Sequence, residues 1–229
     1  MTPDKPIAVV FGTRPEAIKM APVVFALQSA KIPAQIVVSA QHREMLDQVL
    51  DLFEIKPDFD LDLMAPDQSL GSLTSKLIFH LDALLEKLRP RAVLVHGDTS
   101  TTFCAALAAF YHQIPVGHVE AGLRTRNIYS PWPEEVNRQL TGRITTWNFA
   151  PTQRARLNLL EESTQEESII VTGNTVIDAL LYVSKRLDSE EILRSLAHSN
   201  LRKVLPEKAL QSQHLVLVTG RSEEHTSEL

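Results

Sequence analysis

Three polar turns, each closing a run of apolar residues, constrain this chain more than any other feature. FGTRPEAIK (Phe11–Lys19), HGDTSTT (His96–Thr102) and HVEAGLRT (His118–Thr125) follow Ile7–Phe11, Ala92–Val95 and Pro115–Val119, which read as buried strands. At least the first two lead into helical patterns. Strands are expected at Ile7–Phe11, Gln35–Ser39, Ala92–His96, Pro115–Val119, Trp147–Ala150 and Ser168–Val171. Helical periodicity fills most gaps, over Glu16–Gln28, Arg43–Phe53, Leu70–Leu88, Thr101–Tyr111, Glu134–Thr145, Thr152–Glu161 and Thr175–Leu187. Runs such as AVLVH do not alternate with polar residues, as befits strands covered on both faces. The pattern therefore predicts an α/β protein with a doubly wound parallel sheet.

In such a sheet the carboxyl ends of the strands line one crevice, so residues distant in sequence meet there. Arg14 and Lys19 would share that edge with Asp98 and Glu120. Two cations beside two carboxylates suit an anionic, phosphorylated substrate on which protons are moved. Each residue also has a plainer reading. Gly12 and Pro15 punctuate a strand-to-helix turn that lacks the glycines of a dinucleotide or P-loop motif. An isolated aspartate placed like Asp98 more often caps the following helix than does chemistry. Glu120, at the end of IPVGHV and before Ala-Gly, is harder to explain as a solvated charge. His96 and His118 raise the question of a metal, but no HxxxH or HExxH spacing accompanies them and none is expected. In NIYSPWPEEVNR two prolines stiffen a loop around Trp132. Surface solvation and helix-start charge preference account for Glu134 and Glu135 there about as well as a functional role does.

The length of 229 residues, 44% hydrophobic and 22% charged, allows one complete α/β domain and part of another. A net charge of −5 without a basic run excludes nonspecific nucleic-acid binding. The single cysteine, Cys104, excludes an internal disulfide and favours a cytoplasmic location. No apolar stretch approaches the roughly 20 residues that span a bilayer, and the N-terminus lacks a signal peptide's apolar core.

FGTRPEAIKMAPV, SAQHREMLDQVL, VLVHGDTSTTFCAALAAF, IPVGHVEAGLRT, SPWPEEVNRQLTGRI and VTGNTVIDAL together resemble the bacterial non-hydrolysing UDP-N-acetylglucosamine 2-epimerases, in the family's order over most of Ile7–Leu180. The resemblance implies a GT-B fold, two Rossmann-like domains with the nucleotide sugar between them. Its implied reaction interconverts UDP-GlcNAc and UDP-ManNAc, for surface polysaccharides, by eliminating UDP and re-adding it after a proton reaches the opposite face of the sugar. By motif, Asp98, Glu120 and Glu134 are the catalytic carboxylates, and Arg14 and Lys19 bind substrate together with Asp98 and Glu120. Gln41 matches part of an allosteric UDP-GlcNAc pattern, although Glu44 stands where glutamine is usual. No cofactor is implied, and relatives imply a homodimer built through the first domain. A hydrolysing epimerase, another GT-B enzyme and a non-catalytic shortened module are the alternatives.

Residues 1–172 are expected to form the first domain and 173–220 the crossover and start of a truncated second one, including a strand at His214–Thr219. The family continues after HLVLVT with a segment like T-x-H-R-R-E-N. Here Arg221–Leu229 reads RSEEHTSEL instead, which resembles a translated sequencing adaptor. The chain alone is accordingly expected to lack effective turnover, and the lone strand to be poorly ordered.

Overall fold

The computed structural model describes residues 5–39, 43–63, 68–210, 212 and 216, omitting the side chain of Glu44. It divides into two units, Met1–Leu180 and Leu181–Leu229. The first unit is a seven-stranded sheet: β1 (Ile7–Phe11), β2 (Ala34–Val38), β3 (Phe59–Asp60), β4 (Ala92–His96), β5 (Val116–Val119), β6 (Trp147–Ala150) and β7 (Ile169–Val171). All pairings are parallel, in the order β3-β2-β1-β4-β5-β6-β7. This is the expected Rossmann-like doubly wound sheet. Its direction of winding reverses between β1 and β4, and the crevice beyond their carboxyl ends is the place such a sheet offers a ligand.

Helices α1 (Arg14–Ser29), α2 (Arg43–Leu52), α3 (Leu70–Leu88), α4 (Ser100–Tyr111), α5 (Glu134–Ile144) and α6 (Gln153–Glu161) connect the strands. On α3 a spacing of four puts Leu73, Leu77, Leu81 and Leu85 in one buried stripe. That stripe joins Val93, Val95 and the small face of α4, including Ala105, Ala108 and Ala109, in the main core. Burying each such leucine contributes about 1.5–3 kcal/mol. Every residue of β4 is buried, which accounts for the unbroken apolar run in its sequence.

The differences from expectation lie at element ends. α1 starts two residues early because Thr13 caps it and Pro15 fits its first turn. β3 has only two residues, too few to show a periodicity. α7 (Thr175–Ser189) follows β7, and the second unit contains α8 (Glu191–Val204) and α9 (Glu207–Leu210). Apart from the exposed Val216, the strand expected at His214–Thr219 lies outside the described residues, as does the tail at 221–229. No helix among the described residues is long and apolar enough to cross a membrane.

Candidate active site

The turn after β1 is fixed by a buried carboxylate. Thr13 caps α1 and Glu16 closes a capping box, but Glu16 does more than complement the helix dipole. Its Oε2 accepts the amides of Gly12 at 2.9 Å and Thr13 at 2.7 Å, while Oε1 accepts the Thr99 hydroxyl at 2.8 Å. The Thr102 hydroxyl lies 3.1 Å from the same Oε1 and 2.5 Å from the carbonyl of His96. Glu16 therefore ties the β1–α1 turn to the β4–α4 turn. Burial pushes its pKa up against the hydrogen bonds from Thr99, Gly12 and Thr13 that pull it down. Gly12 is required by close approach: a Cβ there would stand 2.2 Å from Ser39 Oγ and 2.6 Å from Thr101 Oγ1.

The cap of α4 is Thr99, whose hydroxyl accepts the Thr102 amide. The commoner role for an aspartate in this turn is thus taken by its neighbour. The Asp98 side chain instead meets Arg138, with Nη2 2.5 Å from Oδ2, and Asn137 donates to the Asp98 carbonyl at 3.0 Å. Burial raises the Asp98 pKa, opposed by Arg138 and reinforced by Glu134 and Glu120. A carboxyl group in that setting holds a proton more readily than one in water.

Glu120 ends β5 with φ of 64°, the left-handed region that a side chain of this size seldom adopts. Lys19 Nζ sits 2.8 and 2.6 Å from its two carboxylate oxygens, and Asn174 donates to Oε2 at 2.9 Å. One strand end is thereby joined to α1 and to the residue before α7. Two residues on, Gly122 has φ of 89°, and a Cβ there would lie 2.3 Å from the Ala155 carbonyl oxygen. The loop beyond has no room to shift toward α6.

Glu134 and Glu135 part company at the start of α5. Glu134 is half-buried, and its Oε2 has no hydrogen-bond partner among the described residues. Glu135, far from being solvated, is fully buried. It accepts the amides of Thr125 and Arg126 at 3.0 Å each and the Gln139 amide at 2.9 Å. Burial alone would raise its pKa, but these bonds from Thr125, Gln139 and Arg126, with Arg138 beside it, bring it below the usual carboxylate value. It pins the β5–α5 loop.

Both strand-end histidines are buried and held neutral. Burial, then Lys19, then His118 push His96 down to about 3; burial foremost pushes His118 down to about 4. His118 Nε2 lies 2.6 Å from the Gly97 carbonyl oxygen and donates its proton there. No group of three or more acidic, histidine or cysteine side chains among the described residues is arranged to hold a metal ion. Arg14 is exposed at the mouth of the crevice. Gln41 lies outside the described residues.

The lining of an apolar cavity of about 530 Å³ over the sheet near Leu27, Leu94 and Phe149 includes none of Arg14, Lys19, Asp98, Glu120 or Glu134. The polar crevice, where charge converges, is the candidate site. What converges there is three carboxylates from three strand or helix ends with two cations engaged among them. Asn137, Arg138 and Asn174 complete it without having been singled out in the sequence. Glu134, Asn137 and Arg138 share one face of α5 by their spacing of three and four, and that spacing was the available signal.

The sequence model of the UDP-N-acetylglucosamine 2-epimerase family matches residues 26–228. The chain belongs to that family. A UDP-N-acetylglucosamine 2-epimerase of Bacillus subtilis is 61% identical over 175 residues, 76% of this chain and 46% of the relative. That of Neisseria meningitidis is 57% identical over 191 residues, 83% of this chain and 51% of the relative. The crystal structure of the Neisseria epimerase bound to UDP-GlcNAc superposes with a TM-score of 0.81 at 55% identity, covering 87% of this chain and 54% of that one. This member of the epimerase family thus spans about half the length of the curated relatives it matches.

Proposed function

We propose that this chain supplies the first domain of a non-hydrolysing UDP-N-acetylglucosamine 2-epimerase of GT-B architecture, which interconverts UDP-GlcNAc and UDP-ManNAc. The observation that carries the reading is the joining of Glu120 to Lys19 and of Asp98 to Arg138 at the carboxyl edge of a sheet whose family relatives bind UDP-GlcNAc. The C2 proton of the sugar is too weakly acidic for direct removal. Elimination of UDP gives a 2-acetamidoglucal, and re-addition after protonation from the other face gives the epimer. Opposite faces require separate acid and base groups, for which Asp98, Glu120 and Glu134 are the candidates. Arg14 and Lys19 face the diphosphate, whose departure is assisted electrostatically. No step calls for a redox or metal cofactor.

The remaining attributes of the whole protein rest on the same reading. Residues 1–172 form the first domain and 173–220 begin the second. Gln41 belongs to an allosteric subsite. The partner is a second copy, which the exposed Phe79 on α3 and Phe110 and Tyr111 on α4 favour. The location is the cytoplasm, which a lone, buried and unpaired Cys104 favours. The 229-residue chain by itself lacks effective turnover.

The test is made on the longer protein, extended through its nucleotide-binding half. Asp98→Asn and Glu120→Gln should each lower the UDP-GlcNAc to UDP-ManNAc rate about 100-fold or more with the fold intact by circular dichroism. Near-normal turnover in both removes these carboxylates from the mechanism, and release of free ManNAc with UDP rejects the non-hydrolysing reaction.

A further inference from the structure

His96, beside the carboxylate cluster, has no task in the proposed reaction. It is 3% exposed at the end of β4, and neither ring nitrogen has a hydrogen-bond partner among the described residues. A neutral imidazole carries one donor and one acceptor, and leaving each buried and unmade costs about 1–3 kcal/mol. Its neighbour His118 shows the ordinary solution, donating to a backbone carbonyl. His96 does not take it: neither of its ring nitrogens has a carbonyl within hydrogen-bond geometry among the described residues.

The ring points toward Glu120. Nε2 lies 3.9 Å from Glu120 Oε1, just beyond hydrogen-bond range. In this state Glu120 is fully engaged: Lys19 bridges both its oxygens and Asn174 holds Oε2. An anionic group that draws Lys19 away removes the bond to Oε1, the oxygen nearest His96. The charges around the pair are Lys19 from α1, Asp98 from the β4–α4 turn and His118 from β5, with Arg138 and Glu134 of α5 acting through Asp98.

We propose that His96 is a positioning residue for Glu120: its Nε2–H replaces Lys19 as the donor to Oε1 when substrate phosphate takes the ammonium. The buried, orphaned ring is then a reserved hydrogen bond. The exchange needs Glu120 to move by less than about 1 Å, from 3.9 Å to ordinary hydrogen-bond range. It keeps the carboxylate aimed while its counter-ion is occupied elsewhere, and the ring stays neutral throughout. No proton changes hands between the two groups.

This inference rests on the proposed function for its substrate, so the first test is made without turnover. In the 229-residue chain, two-bond ¹H–¹⁵N spectra at neutral pH should show His96 as the Nε2–H tautomer; the Nδ1–H tautomer overturns the proposal, whatever a variant does. Lys19→Met removes the competing ammonium, and the Nε2 proton should then move downfield and exchange slowly. Adding Glu120→Gln should reverse that change. A resonance unmoved by Lys19→Met also overturns the proposal. In the longer protein, His96→Phe should lower kcat roughly ten-fold with little change in KM, and His96→Gln, whose amide can reach toward Nε2's place, should recover most of it. A merely structural role would lower Tm in His96→Phe and leave kcat per folded molecule unchanged. Failure of the wild-type longer protein to interconvert the two sugars overturns the function reading alone, while the spectra still decide the part played by His96.

Discussion

Replacing Glu16 with alanine removes one carboxylate and strands four donors. The Gly12 and Thr13 amides lose their acceptor, and the Thr99 and Thr102 hydroxyls lose Oε1. The hydroxyls can turn: Thr102 already reaches the His96 carbonyl, and Thr99 lies 3.3 Å from Thr102 Oγ1. The amides cannot, being fixed by the backbone at the end of β1. Two unmade amide bonds at about 1–3 kcal/mol each, one of them fully buried, give an expected loss of about 3–4 kcal/mol. Glu16→Gln separates geometry from charge. Its amide oxygen can face the two N–H groups while its NH₂ faces hydroxyls that rotate to accept, so the loss should be about 1 kcal/mol. Urea unfolding of the 229-residue chain at neutral pH measures both values, read from the midpoint at constant slope. An alanine variant within about 1 kcal/mol of wild type would refute the cross-tie, as would a glutamine variant costing as much as alanine.

Two further outcomes follow from the core and from the histidines. Leu81→Ala, at the centre of the buried α3 stripe, should cost about 2–5 kcal/mol by urea unfolding, whereas truncation of the exposed Leu196 on α8 should cost under about 0.5 kcal/mol. His96 and His118 have folded values near 3 and 4, below the ordinary imidazole value of 6.5, so between these limits the unfolded chain binds more protons. Their contribution to stability is complete above pH 6.5 and is lost as the pH falls toward 4 and 3. The urea midpoint should therefore drop on acidification through that window. His118→Gln should flatten the drop, and an unchanged slope would show that burial of this ring is not what keeps it neutral.

The sheet was legible because its strands bury both faces and so write themselves as uninterrupted apolar runs. β3 was not, because two residues carry no period and its place depends on pairing with β2. The meeting of Lys19 with Glu120 follows from topology: Lys19 lies in the first turns of α1, after β1, and Glu120 directly after β5, so both stand at the carboxyl edge of one parallel sheet. The identity of each partner did not. Asp98 faces Arg138 rather than a helix amide because Thr99, one residue later, has the shorter path to the Thr102 N–H. The burial of Glu135 was not legible either, because helix-start glutamates are usually solvated; it depends on the Thr125–Arg126 backbone folding over it, which no local pattern announces.

Under the proposed function, the pairing of charges also orders the events of binding. Among the described residues Lys19 and Arg138 each hold a carboxylate, whereas Arg14, exposed at the start of α1, has neither a hydrogen-bond nor an ion-pair partner. An approaching diphosphate meets Arg14 without displacing anything. Reaching Lys19 requires breaking a two-oxygen contact with Glu120, so that step comes second and is favourable only once the anion is already held. Arg14 thus sets affinity, and the Lys19–Glu120 exchange sets whether the bound state is reactive. Arg14→Ala should raise KM with kcat little changed, and Lys19→Met should lower kcat; the reverse pattern in steady-state kinetics of the longer protein would show that the anion enters at Lys19 first.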